Sequence, residues 1–254
     1  STLENSMVSY LSRLNYHYSH KYYLSASYRR DGSSRFSPTT RWADFWSISG
    51  SWRISQESFL SDISWLDDLK LRASYGTSGN QAIPDYEYYP TFGLGATYDY
   101  YVGMTYSSLS NYDLTWEKSK ELNVAVEFGI IDRLRGAVEF FDRNTTDLLL
   151  DRPLAPSVGF TSKLENIGAL NNRGFEAELR STNIATKDFV WLTDFNISHY
   201  RNKITKLSQP EIIDSDKRWV VGNSLYEWYL REYAGVNPDN GKATWYKDIV
   251  DNEG

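Results

Sequence analysis

The chain of 254 residues has no cysteine, so it carries no disulfide framework and no thiolate metal site. It has three histidines, His17, His20 and His199, none with a partner at ligand or triad spacing, and their plainer reading is a structural or turn role. No stretch approaches the ~20 consecutive apolar residues of a membrane-spanning helix, which excludes helical membrane proteins but not strands that cross a bilayer. Basic charge is in deficit: the net charge of −6 argues against a nucleic-acid partner. Helical periodicity long enough to cover a parallel sheet is missing, and so is any short-period repeat. Its first residues do not read as a signal peptide, and the chain opens without Met on "STLENSMVSY" and stops in the polar run "DIVDNEG". Both ends read as cut, and the chain is expected to be a piece of something larger.

What the sequence has in excess is aromatic side chains, 16% of residues with 20 Tyr and 9 Trp. These suit strands, sugar-stacking surfaces or membrane-interface belts. Residues 121–150, "ELNVAVEFGIIDRLRGAVEFFDRNTTDLLL", show how they are used. Leu122, Val124, Val126, Phe128 and Ile130 alternate with Glu121, Asn123, Ala125, Glu127 and Gly129, and Val138 and Phe140 later stand against Glu139, Phe141 and Arg143. Successive strand side chains point to opposite faces, so this pattern predicts a long hairpin that is apolar on one face and charged on the other.

Eight such strands are predicted. The first covers about 7–18, with Val8, Tyr10, Ser12, Leu14 and Tyr16 on one face, and "SHK" turns it into a second at about 21–30. A third, about 44–54, sets Trp46, Ile48, Gly50, Trp52 and Ile54 on one face; "SQESFLSDISWLDD" follows with room for a short helical turn. The fourth is "LKLRASYG" (69–76), followed by about forty residues of Gly-, Tyr- and Ser-rich loop. Strands five and six form the 121–150 hairpin. A loop with Pro153 and Pro156 leads to strand seven, "GFEAELR" (174–180), and strand eight spans about 189–200 with Trp191, Thr193, Phe195 and Ile197 outward. The final fifty or so residues read as a long tail or loop.

Two features separate a protein core from lipid on the apolar side. Soluble strands usually run about 5–6 residues, whereas several here reach the ~10 that a tilted strand needs to cross a bilayer. Connections after strands one, three, five and seven are short and those after the others long, the alternation of periplasmic turns and extracellular loops. A one-residue slip in strand five would turn Glu121 and Glu127 to lipid, at about 2–4 kcal/mol for a charge near the midplane. Tyr16, Tyr22, Trp46, Trp52 and Trp191 fit interfacial belts. The expected fold class is therefore all-β, part of a large antiparallel transmembrane β-barrel with long extracellular loops. A complete eight-stranded barrel is disfavoured, because this order of turns puts both chain ends outside rather than in the periplasm.

Six segments then carry a family resemblance: "YRRDGSSRF" (28–36), "GSWRISQESFL" (50–60), "WLDDLKLRASYGTSGN" (65–80), "LTWEKSKELNVAVEFGI" (114–130), "TTDLLLDRPLAPSVGFTSKLENIGALNNRGFEAEL" (145–179) and "VGNSLYEWYLREYAGVNPDNGKATWY" (221–246). Their sequence and order resemble the SusC/RagA branch of TonB-dependent outer-membrane transporters. The resemblance implies that residues 1–254 are a section of a C-terminal barrel domain of about 22 strands, with the plug domain and the final strands outside this chain. It implies import of large nutrients, commonly oligosaccharides and sometimes peptides, across the outer membrane of a Gram-negative bacterium. It also implies a SusD-like surface lipoprotein as a lid, TonB acting through the plug, and a higher assembly such as a dimer of transporter–lipoprotein pairs.

Read residue by residue, the chain offers no catalytic set and calls for no metal or cofactor. Glu139, Glu176 and Glu178 superficially match a glycosidase carboxylate pair, but they lie on the polar face of strands and read as lumen charge. "NPDNG" (237–241) lacks the later Glu of a calcium loop and reads as a tight turn. "DGSSRF" is loop architecture, with Arg35 as an ion-pair former. The candidate substrate-binding residues are loop aromatics, Tyr98, Tyr100, Tyr101, Trp219, Tyr226 and Trp228, which suit stacking on sugar rings. The plainer reading is that they pack loops together or face the lid. Three rivals stay open: a peptide importer, a barrel with a secretion or scaffolding role, and a soluble aromatic-rich β module such as an adhesin.

Overall fold

A computed structural model describes residues 4–98, 101–214 and 216–246. The first strands are β1 (Met7–Tyr18), β2 (Tyr22–Ser33), β3 (Trp42–Arg53) and β4 (Leu66–Asn80). A small hairpin follows, β5 (Phe92–Tyr98) and β6 (Tyr101–Tyr106), and then the long pair β7 (Glu117–Ile130) and β8 (Leu134–Thr146). A second small hairpin, β9 (Leu149–Pro153) and β10 (Ser162–Asn166), precedes the 17-residue strands β11 (Ala169–Ala185) and β12 (Val190–Lys206). Two more short hairpins close the described region: β13 (Glu211–Asp214) with β14 (Lys217–Val220), and β15 (Tyr233–Val236) with β16 (Ala243–Trp245).

One antiparallel sheet holds the eight long strands in the order β1-β2-β3-β4-β7-β8-β11-β12, so each pairs with the next long strand in sequence. The order has two ends, β1 and β12, that do not pair with each other; the sheet is an open section of wall and not a closed eight-stranded barrel. Ladder registers explain the alternation seen in the sequence. One row crosses all eight strands as Tyr18, Tyr22, Trp52, Leu71, Val126, Val138, Ala177 and Ile197. The adjacent row, on the opposite face, reads His17, Tyr23, Ser51, Arg72, Ala125, Glu139, Glu176 and Ser198. The first row is apolar throughout and the second mostly polar, because neighbouring positions on a pleated strand face opposite ways.

The apolar band runs diagonally. Four positions towards the long loops, a row on the apolar face reads Leu14, Ala26, Ile48, Tyr75 and Leu122, then changes to Asp142, Arg173 and Arg201. Two positions the other way, Leu69, Phe128, Leu179 and Phe195 remain apolar around Gly136. Rows perpendicular to the strands climb relative to a horizontal band when strands tilt by about 35–45°, as barrel closure requires. Gly136 is small for a local reason: a Cβ there would lie 2.7 Å from the Phe128 ring, which covers the gap across the strand pair.

The two ends of the wall differ as the sequence predicts. At one end the links are residues 19–21, 54–65, 131–133 and 186–189; at the other they are 34–41, 81–116, 147–168 and the segment from 207 onward. Two short turns carry positive φ at both central residues, Ser19 and His20 in one, Ile131 and Asp132 in the other. This is the type I′ pattern whose twist matches a right-twisted hairpin, here made without the usual Asn-Gly. The link after β3 holds the expected helical turn, a 3-10 helix at Ile54–Gln56. Just past it, Glu57 accepts hydrogen bonds from Tyr22 Oη (2.6 Å), Trp52 Nε1 (3.0 Å) and Lys21 Nζ (3.0 Å). The Tyr22 bond, then those of Trp52 and Lys21, hold its carboxyl at about 2. Tyr16, Tyr22, Trp52 and Trp191 all sit near this short-turn end, while Trp46 stands farther along β3 against Tyr75.

Several sequence expectations need correction. The loop after β4 contains the β5–β6 hairpin, and the proline-containing loop after β8 contains β9–β10 and a 3-10 turn at Pro156–Val158. The segment after β12, expected as a long tail or loop, contains two hairpins, β13–β14 and β15–β16. Strand seven starts at Ala169, five residues before the Gly174 of "GFEAELR". Short ribbons of three to seven residues lack the sustained alternation that marks a strand with different solvents on its two faces.

Candidate functional site

The long-loop end carries the hydrophobic cluster that the wall lacks. Phe36, Ala43, Phe45, Ile83, Tyr88, Leu114 and Trp116 form a buried group with Leu149 and Leu164 packed against it. Ala43 and Phe45 share the polar-side parity of Ser47, Ser49 and Ser51 on β3, so this cap is rooted on the inner face of the wall. Trp116 is its centre: its ring lies 5.5 Å from Phe36 and 5.6 Å from Phe45, and its Nε1 donates to the Arg41 carbonyl at 2.8 Å.

Polar side chains join the irregular loops to one another, satisfying backbone groups that no ladder reaches. Ser37 Oγ donates to the Tyr112 carbonyl at 2.7 Å and Thr40 Oγ1 to that of Leu114 at 2.6 Å. Asn166 accepts from the Thr115 amide and donates to the Thr115 and Asp147 carbonyls; Asn111 Nδ2 donates to the Leu164 carbonyl at 2.8 Å. Arg35 forms its expected ion pair, with Asp85 at 2.9 Å. Hydrogen bonds from Asn5 and Arg35 lower the Asp85 pKa. Across β9–β10, Arg152 grips Glu165 through two hydrogen bonds of 2.8 and 3.0 Å and lowers its pKa. Glu87 moves the other way: burial and the nearby Asp151 charge raise its pKa.

Below the cap, the inner face carries a charge ladder. Lys70 and Arg72 both reach Glu127, at 3.1 and 3.3 Å, and Arg72 also reaches Glu139 at 2.9 Å. Glu121 pairs with Arg143 at 2.6 Å. Glu139 stands directly opposite Glu176 in the β8–β11 register, and Glu178 lies two residues along β11 on the same face. These three carboxylates therefore line the polar side of the wall.

The sequence-predicted aromatics fall into two groups. Tyr101 begins β6 and is 78% exposed; Tyr98 ends β5 opposite it, with its side chain outside the described residues, and Tyr100 lies wholly outside them. The second group gathers around β13–β14. The Lys217 ammonium sits 5.6 Å from the Tyr226 ring and 5.8 Å from the Trp228 ring, both of which are exposed. Trp219 is more involved in the loop itself, its Nε1 donating to the Leu225 carbonyl at 3.2 Å. The "NPDNG" segment is the tight turn of the β15–β16 hairpin, with Asn237 Oδ1 accepting from the Asp239 amide and Gly241 at φ 68°.

A third aromatic group, Tyr88, Tyr89 and Tyr112, was missed. Tyr88 and Tyr89 stand 4.3 Å apart, and the Tyr89 and Tyr112 rings meet at 85° with centroids 5.8 Å apart. The string "YEYYP" (86–90) was a signal for it, but Tyr112 comes from the far side of the β5–β6 hairpin.

Comparison with known proteins follows this geometry closely. Residues 6–252 match the family described as TonB dependent receptor-like, beta-barrel. The chain is 39% identical over 230 residues to the TonB-dependent receptor SusC of Bacteroides thetaiotaomicron, covering 87% of this chain and 23% of that protein. It is 36% identical over 194 residues to the TonB-dependent receptor P3 of Formosa agariphila, covering 69% of this chain and 19% of that one. The solved structure of the RagAB peptide transporter superposes with a TM-score of 0.85 at 33% identity, over 95% of this chain and 27% of its counterpart. The chain thus spans less than a quarter of the length of these curated relatives.

Proposed function

From a chain that belongs to the TonB-dependent receptor β-barrel family, in its SusC and RagA type, we propose a section of the wall and mouth of an outer-membrane importer of large nutrients. The observation that carries this reading is the pair of adjacent rows across all eight strands, one apolar and one mostly polar. Such a wall places lipid on the side of Val126, Val138 and Ile197 and a watery lumen on the side of Arg72, Glu139 and Glu176. In this reading residues 1–254 belong to the C-terminal barrel domain of a longer protein in a Gram-negative outer membrane. Its plug, outside this chain, receives the pull of TonB.

The cargo we propose is an oligosaccharide, selected at the mouth and passed through a gated lumen without any bond made or broken. The supporting feature is the supply of exposed loop aromatics, Tyr101, Tyr226 and Trp228 among them, which offer flat apolar faces with polar edges to amphipathic sugar rings. A SusD-like lipoprotein lid would close over the same loops, with two such pairs in the assembly. A peptide cargo is the second reading, favoured by the likeness to the RagAB peptide transporter.

Purification of the native protein from outer membranes in detergent, with mass spectrometry of what accompanies it, tests this. The expected result is a lipoprotein partner and bound oligosaccharide. Bound peptides in place of glycan would decide for the second reading, and a protein soluble without detergent would sink both.

A further inference from the structure

Resting on the oligosaccharide reading, we propose that Tyr89 and Tyr112 form a stacking subsite for a neutral sugar ring at the mouth. Unlike Tyr226 and Trp228, whose faces Lys217 already occupies, these two rings are 43% and 49% exposed, and among the described residues no cation lies over either. Their mutual angle of 85° makes a corner: one ring offers its face to the C–H side of a pyranose, the other its edge and hydroxyl.

The corner is also held rigid. Tyr88 behind it is buried in the cap core, 4.3 Å from Tyr89 and 6.1 Å from Tyr112. Tyr86 has φ +64°, an unfavourable left-handed conformation for a tyrosine, and its carbonyl accepts from the Tyr89 amide at 2.9 Å. Pro90 restricts the backbone of Tyr89 further. On the other side the Tyr112 carbonyl is fixed by Ser37 and the neighbouring Asn111 by Leu164 and Tyr88. Backbone strain maintained by surrounding contacts is a mark of ligand-positioning sites, and a rigid aromatic loses little entropy on binding.

The acidic residues next to these tyrosines in the chain point to the ligand class. Glu87 and Asp113 adjoin the tyrosines in the chain, and Asp151 approaches Glu87 from β9. Carboxylates accept hydrogen bonds from sugar hydroxyls, whereas an apolar peptide side chain has no hydroxyl to donate to them. A neutral, hydroxyl-rich ring meets both demands.

The test is calorimetric titration of the intact transporter in detergent with maltohexaose and laminarihexaose. Wild type is expected to bind at least one of them, with Tyr89→Ala and Tyr112→Ala each weakening Kd about five- to tenfold. Tyr89→Phe, which keeps the stacking face, should stay within about twofold, and thermal midpoints should match wild type because both side chains are half exposed. Binding unchanged in both alanine variants overturns this subsite alone and leaves the oligosaccharide reading standing. Loss in Tyr89→Phe equal to that in Tyr89→Ala overturns stacking as the mode of contact. Failure of wild type to bind either sugar, with a peptide such as Gly-Pro-Tyr-Ala bound instead, overturns the oligosaccharide reading and this subsite with it.

Discussion

The wall and the cap solve the problem of burying apolar surface in opposite ways. The wall has almost no core of its own: Val126, Val138, Phe140, Phe195 and Ile197 are all exposed in the isolated chain. Its backbone is satisfied strand to strand, and its apolar row is left for another phase to cover. The cap is irregular in backbone, yet it encloses Trp116, Phe36 and Leu114 at 2% exposure or less. Stability therefore comes from the membrane and the ladder in one region, and from ordinary side-chain packing with loop-to-loop hydrogen bonds in the other.

That contrast is open to attack, most strongly at the cap. Trp116→Ala should cost the cap about 3–5 kcal/mol, seen as fast hydrogen exchange in residues 81–116 while the long strands stay protected. Loss of protection throughout the sheet would show that cap and wall are one cooperative unit. Next is the wall: Val126→Arg should cost about 2–4 kcal/mol in unfolding from lipid vesicles, whereas Asn123→Arg on the lumen face should be close to neutral. Equal costs would mean that the two faces do not meet different solvents.

Smaller effects belong to the short turns. Ile131, a β-branched residue at φ +54°, is replaceable by glycine with a gain of about 1 kcal/mol, read from the denaturant midpoint. Its amide, which donates to the Trp65 carbonyl at 3.0 Å, is kept in that variant. A loss of stability would mean that packing of the Ile131 side chain outweighs the relief of its backbone strain. The smallest effect is at Glu57. Its carboxyl is held at about 2 against an ordinary 4.5, so its contribution is complete above pH 4.5 and fades as pH falls towards 2. Glu57→Gln should therefore lower the thermal midpoint at pH 7 and match wild type near pH 2; an equal deficit at both pH values would rule out the carboxylate charge as the cause.

Legibility in the sequence followed the same division. The eight wall strands were readable because each has different solvents on its two faces, which writes a period of two into Leu122 to Ile130 or Phe175 to Leu179. The cap has no such period. Phe36 lies in the 34–41 link and Ile83, Tyr88 and Trp116 at distant points of the 81–116 link, and nothing in their spacing says that they meet. The same holds for the tyrosine corner, whose two rings are separated by the β5–β6 hairpin. Of the aromatics chosen from sequence, Tyr101, Tyr226 and Trp228 are exposed, but sequence could not show Lys217 lying over two of them.

By itself, then, the sequence determined that the chain is a run of long antiparallel strands with one apolar and one polar face, joined by short turns at one end and long loops at the other. Those are local properties, set by alternation and by turn residues. Tertiary structure alone decided the diagonal course of the apolar band, the open ends at β1 and β12, the burial of Trp116 and the right angle between Tyr89 and Tyr112. Each depends on register between strands or on contact between loops far apart in the chain, and such contacts leave no periodic trace in the residues that make them.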